Sequence, residues 1–431
     1  MANYYSIPNK FNRFIILLIT LAPFVAYVLL GLLKTDYGKN ITVLMYLGVI
    51  LIFFYAKKGT PVKFPKYVIF YLLFTLYTYI SEFYLLDREF KLLYLVSNPI
   101  AASLLALIII ENIHIRTKYM NVLLKTSNVI FIVAFIVILL QQILGQEFLT
   151  NPDYMKSWGG GDVTESRLVS IYSYIGDAIS TGLGFVPIFI IIVEVLGKQN
   201  KQKKMLLYIL CGVMFVFLTK ARWILLNGLL VFLLLFMNNR KNLSQFYKYL
   251  ILIPIIFVSS LVLLDAYGLE TIGIVEDRIL DKESGGVTKG SAGTRLLAIA
   301  TFGKVYWDNP ILGKGNIKYG MAGTGEQDYK LKKYLAGRSS QIHVGYLSLF
   351  YIYGLVGGLL FLFFLITILR HLYMNAKITG YFGPFVAFLG FAVANLTLVT
   401  FSIFETGLLL ALIFDKYYMS MNNKQTNEIH V

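Results

Sequence analysis

Three residues of this chain combine a chemically capable side chain with a setting where a polar, anionic substrate can reach it: Arg222, Arg295 and His343. A guanidinium stays charged at every physiological pH and binds phosphate oxygens in pairs. A neutral imidazole is suited to take a proton from a hydroxyl. His343 has no second histidine or close carboxylate at ligand spacing, so no metal site is expected, and nothing in the sequence calls for a cofactor.

Each of the three also has a plainer reading. Arg222 lies in Leu218-Thr219-Lys220-Ala221-Arg222-Trp223, between two apolar runs with almost no loop. An arginine at mid-bilayer costs about 2.5–3.5 kcal/mol, so one held near an interface either snorkels to headgroups beside an interfacial tryptophan or clamps a diphosphate. His343 opens an apolar run, where a histidine is either an interfacial polar residue or a base. Arg295 follows Thr294, a plausible N-cap for a helix through Leu296, Leu297, Ile299, Phe302, Val305 and Tyr306. A cation in that first turn opposes the helix dipole and asks for an anionic partner, for which a phosphate is one candidate.

The elements that must position these residues are mostly apolar. Of 431 residues 57% are hydrophobic, 16% aromatic and only 14% charged, with a mean hydropathy of +0.69. No soluble core absorbs that much apolar surface, so the expected class is an all-α, polytopic transmembrane bundle. Runs near 14–33, 41–56, 67–86, 92–110, 122–144, 178–196, 205–219, 221–237, 247–264, 344–369, 381–399 and 401–414 give about twelve spans on the ~20-residue scale of a bilayer. The first run is read as a retained helix, because no small-residue cleavage pattern follows it. The single cysteine, Cys211, lies inside an apolar run and has no internal partner.

Charge supports the count. With a cytoplasmic N-terminus, inner segments hold about 18 basic residues, among them Lys57, Lys58, Lys203, Lys204, Arg370 and Lys377, against about 8 in the short outer loops. The inner segments account for about +15 of the formal +16. The basic balance is thus a topology signal, both ends fall in the cytoplasm, and nucleic-acid binding is not needed to explain it. In-span acids are few (Glu82, Asp177, Glu194 and Glu405), and each reads either as an interhelical polar contact or as a transport site. No strong internal repeat supports a transporter of two six-helix halves.

One stretch breaks the apolar pattern. Residues 265–343 form a long polar loop on the side opposite the cytoplasm, dividing the chain into 1–264 with nine spans, the loop itself, and 344–431 with three spans and a cytoplasmic tail. Amphipathic helices are expected inside it: Val275–Lys282, stopped by Gly285-Gly286, and the helix after Gly293, which ends near Asp308 because Pro310 disfavours helical geometry at Asn309. The apolar face of such a helix lies on lipid or on the bundle. A shorter outer loop near 145–167 carries Glu147, Asp153, Asp162 and Glu165 beside Gly159-Gly160-Gly161.

Arg222 in its tight turn, Gly293-Thr294-Arg295, Asp308-Asn309-Pro310-Ile311-Leu312-Gly313-Lys314-Gly315, and Gln341-Ile342-His343-Val344-Gly345-Tyr346-Leu347 with Gly354 to Gly358 beyond resemble the O-antigen polymerase and O-antigen ligase superfamily. The residue-level likeness runs from about 220 to 360. It implies a metal-independent glycosyltransferase with a polyprenyl-diphosphate-linked donor. By position, Arg222 and Arg295 would bind the diphosphate, with Arg167 in Glu165-Ser166-Arg167-Leu168 as a further basic residue, and His343 would activate the acceptor hydroxyl. Gly293, Pro310, Gly313 and Gly315 would support the loop backbone. The implied partners are an undecaprenyl-diphosphate-linked oligosaccharide, membrane lipid, a chain-length regulator and a flippase. The implied place is the bacterial inner membrane, with the site facing outward. The expected reaction is polymerisation of a lipid-linked O-antigen, capsule or exopolysaccharide repeat. The alternatives are ligation of the glycan to lipid A core and, from another class, flipping of a lipid-linked sugar.

Overall fold

A long apolar run satisfies its own backbone hydrogen bonds as a helix, and the described residues follow that rule. The computed structural model describes residues 14–18, 53, 61–81, 83, 99–113, 117–145, 148–149, 175–218, 230–231, 233–238, 251, 255, 258–259, 262, 291–315, 342, 344–396 and 406–429. Among the described residues every regular element is helical: α1 (Lys66–Ile80), α2 (Pro99–Asn112), α3 (Thr117–Leu144), α4 (Ile175–Lys198), α5 (Gln202–Leu218), α6 (Ser291–Val305), α7 (Gly345–Thr379), α8 (Gly383–Ala394) and α9 (Thr406–Ile429). Tyr119–Leu144 and Gly345–Thr379 are long and apolar enough to cross a membrane. The expected spans near 14–33, 41–56, 221–237 and 247–264 fall largely outside the described residues, those near 67–86, 92–110, 381–399 and 401–414 partly so, and the expected helix at 275–282, with Glu82 and Glu405, wholly so.

For the helices described, hydropathy located the element better than its ends. α7 runs ten residues past the expected 369, through Arg370 and Lys377, and stops at Gly380, whose φ of 75° is a left-handed cap with its N–H on the Ala376 carbonyl at 2.8 Å. The apolar run records where lipid ends; backbone hydrogen bonding carries the helix further.

The pairing of α1 with α7 is an aromatic seam. Tyr71 meets Phe364 with ring centroids 4.7 Å apart, and Phe74 meets Phe361 at 5.2 Å and Tyr353 edge-on at 5.5 Å; all five rings are buried. Such pairs add about 0.5–1.5 kcal/mol each beyond burial. Tyr67 at the start of α1 lies against His371 late in α7, and Tyr77 near the end of α1 lies against Gly357 early in α7, so the two helices are antiparallel. One end of the pair carries the turn after α6; the other carries Arg370 and Lys377.

At that basic end, polar side chains tie four helices together. Asn375 donates to the Asp415 carboxylate at 2.7 Å, Tyr67 donates its hydroxyl proton to Glu111, and the Lys416 ammonium donates to the Ile110 carbonyl at 2.7 Å and to that of Glu111. Glu194 is a second tie. Its Oε1 accepts the backbone N–H groups of Phe382 and Gly383 at 2.6 and 2.8 Å, holding α4 to the first turn of α8. Of the two readings open for that acid, the interhelical contact is the one seen. Cys211, inside its apolar run on α5, is partly exposed.

Candidate functional site: a loop locked into a broken helix

The polar segment is described over 291–315. α6 begins at Ser291, three residues before the expected cap at Thr294, so Thr294 lies inside the helix. Gly293 costs a helix about 1 kcal/mol, which does not stop one that packs. Arg295 is therefore the fifth helical residue instead of a first-turn residue, and the opposition to the helix dipole, which fades within one turn, is weaker there than the sequence suggested. Its residue is half-buried. As expected from Pro310, α6 ends at Val305 and continues as a single 3-10 turn, Tyr306–Asp308.

The next seven residues do something the sequence did not announce. Helix α7 is broken at Gly354, which holds φ 61°, ψ −165°. In an unbroken helix the N–H groups of Leu355 and Val356 would bond the carbonyls of Tyr351 and Ile352, four residues back. The break leaves all four groups without helical partners, and the loop supplies every one. Leu355 N–H donates to Pro310 O at 2.8 Å and Val356 N–H to Ile311 O at 3.2 Å. In return, Lys314 N–H donates to Tyr351 O at 3.1 Å and Gly315 N–H to Ile352 O at 2.9 Å. Inside a membrane protein an unpaired backbone group costs several kcal/mol, so break and loop require each other.

Glycine makes the approach possible. Gly313 and Gly315 have φ of 78° and 76°. A Cβ on Gly313 would overlap the Gly354 nitrogen and the Ile352 carbonyl, and one on Gly354 would overlap the Ile311 carbonyl. Side chains complete the lock. Tyr77 of α1 donates its hydroxyl to Leu312 O at 2.7 Å, Tyr306 donates to Pro310 O at 3.0 Å, and Lys314 pairs with Asp308 at 3.1 Å, its ammonium 5.8 Å from the centre of the Tyr351 ring.

The start of α7 is held as firmly. Ile342 and Val344 are buried, Tyr346 N–H donates to Asn395 O at 3.0 Å, and the Tyr346 hydroxyl donates to Ala392 O at 2.6 Å. Of the residues singled out for chemistry, Arg295 is described on α6; Arg167, Arg222 and His343 lie outside the described residues. Among the proposed backbone supports, Gly293 is helical, and Pro310, Gly313 and Gly315 lie in the loop bonded to α7. Sequence reasoning missed Tyr77 and the backbone role of Tyr351 and Ile352. An aromatic residue inside an apolar run gives no local sign that its hydroxyl has a distant partner.

What these elements define is a helical, apolar chain whose polar segment is clamped onto a broken helix. Residues 205–362, from α5 to the middle of α7, match the family model described as O-antigen ligase, in agreement with the resemblance to the O-antigen polymerase and ligase superfamily carried by the motifs. Proteins of that family are glycosyltransferase-like enzymes of the bacterial inner membrane that act on lipid-linked glycans. A search among curated proteins found no match.

Proposed function

We propose that this chain is a polysaccharide polymerase that moves a growing glycan from polyprenyl diphosphate onto the non-reducing end of another lipid-linked repeat unit. It would work in the cytoplasmic membrane with both termini inside and the 265–343 loop outside, its diphosphate-binding residues and base drawn from separate elements. The acceptor hydroxyl oxygen bonds to the anomeric carbon while the bond from that carbon to the diphosphate oxygen breaks. The departing electron pair leaves on polyprenyl diphosphate, whose developing charge Arg222, Arg295 and Arg167 neutralise. The hydroxyl proton passes to the His343 imidazole.

The observation that carries this reading is the interlock. Four backbone hydrogen bonds join the turn after α6, which bears Arg295, to the helix that begins two residues after His343. A site assembled from separate elements needs a rigid joint of this kind, because misplacement by about 1 Å can cost about 100-fold in rate. The test is transfer from a purified lipid-linked repeat in proteoliposomes by Arg295→Ala and His343→Ala proteins. Normal abundance with no product is expected; undiminished product from both variants would remove the assignment, and movement of the lipid between leaflets without transfer would favour a flippase.

A further inference from the structure

Among the described residues, helix α6 has apolar side chains on two sides, one buried and one exposed. Ala298 and Val305 are buried with Thr301 between them, and the helix packs on α7. Leu296 and Ile299, three residues apart, are 58% and 54% exposed, and in the turn that follows Trp307 is 72%, Ile311 61% and Leu312 44% exposed. The single apolar stripe expected from the sequence is therefore split between an inner and an outer side. A helix bathed in water would not present that row.

What covers the outer row follows from its place on α7. Below the break, Leu355, Val356, Leu359, Phe363 and Ile366 form an exposed apolar stripe down a helix that passes as a membrane span, so the stripe faces lipid. The Pro310 and Ile311 carbonyls are hydrogen bonded to the N–H groups of Leu355 and Val356, at the top of this stripe, so the outer row of the loop continues it. Depth agrees. At ~1.5 Å per residue, Gly354 stands roughly 24 Å from Arg370 and roughly 35 Å from Lys377, which brackets the ~30 Å hydrocarbon thickness of a bilayer. Arg370 and Lys377 are exposed, as residues at one interface are, and the break then sits at the other. Tryptophan is enriched at that level, and Lys304 on the same side of α6 can reach the headgroups.

We propose that the outer row of α6 and its turn is a lipid-docking surface, seated among the phospholipid acyl chains just beneath the headgroups of the outer leaflet. The inference rests on the bilayer placement of the helices and not on the transfer chemistry.

The experiment is tryptophan quenching in proteoliposomes. The chain has three tryptophans, and Trp158→Phe with Trp223→Phe leaves Trp307 alone. Phosphatidylcholine brominated at carbons 6 and 7 should quench Trp307 more than phosphatidylcholine brominated at carbons 11 and 12, and aqueous iodide should quench it little. A companion protein with Phe363→Trp as its sole tryptophan should respond more to the deeper bromines; if it responds to neither, the bilayer placement has failed and not merely the docking surface. Strong iodide quenching of Trp307 would put the row in water. No quenching by either probe would put it under protein, such as a second copy of the chain. Bromine quenching that disappears on adding the lipid-linked repeat would assign the row to the isoprenoid tail. Each of those three results overturns the proposal. A nitroxide at Ile299→Cys in a Cys211→Ala background gives an independent reading: dissolved oxygen should collide with it more often than a water-soluble nickel chelate, and the reverse order overturns the proposal as well.

Discussion

Gly313 and Gly354 pack backbone to backbone so closely that neither position has room for a side chain, and both sit at positive φ, 78° and 61°. They are 41 residues apart in sequence, and one lies in a loop, the other inside a helix. Their contact is the hinge pin of the interlock between the polar segment and α7.

Alanine at either glycine should separate the loop from the helix. Left-handed backbone costs a non-glycine residue about 1–2 kcal/mol, and the overlap adds to that. We expect transfer to fall by about 100-fold or more in Gly313→Ala and Gly354→Ala, with the 309–315 segment newly open to protease. Gly303 supplies the control. It lies on α6 with nothing near its would-be Cβ, so Gly303→Ala should keep full activity and gain roughly 0.5–1 kcal/mol of helix stability.

Tyr77→Phe removes one hydroxyl and leaves the aromatic seam in place. The Leu312 carbonyl then loses its 2.7 Å donor, at an expected cost of about 0.5–1.5 kcal/mol. Thermal unfolding in detergent should shift by only a few degrees, while turnover should fall more than substrate affinity, because the loop is loosened without losing a cation. A variant with unchanged kinetics would show that the hydroxyl does not position the loop.

Glu194 should matter for stability and not for chemistry. It holds the Phe382 and Gly383 N–H groups at the opposite end of the helices from the interlock, and Glu194→Ala leaves both donors buried, worth about 1–3 kcal/mol. Glu194→Gln keeps an acceptor oxygen and should retain most of the melting temperature. Gly383→Ala should resemble Glu194→Ala, since its methyl group would overlap Glu194 Oε2. If Glu194→Ala melts like the unsubstituted protein, the carboxylate is not the tie.

The acceptor can be read from what a deletion strain accumulates. A polymerase leaves single lipid-linked repeats, and one repeat still reaches the surface. Finished polymer held on polyprenyl diphosphate, with none on lipid A, would instead assign the chain as a ligase.

The helical class and the positions of the described helices were legible from composition and run length, because a long apolar run must satisfy its own backbone hydrogen bonds. The end of α6 was legible too, since Pro310 restricts its neighbour whatever surrounds it. The start was not. The helix is already under way at Ser291, so Thr294, which reads as a cap by residue type, lies inside it. Nor could the sequence divide the apolar residues of α6 between an inner and an outer side, because periodicity counts apolar residues and is blind to which neighbour each one meets. The glycines at 313, 315 and 354 were visible as letters with unusual backbone freedom. Only the tertiary structure decided that two of them meet, because a break in one helix and a loop 41 residues earlier in the chain become favourable only together, when each satisfies the hydrogen bonds the other lacks.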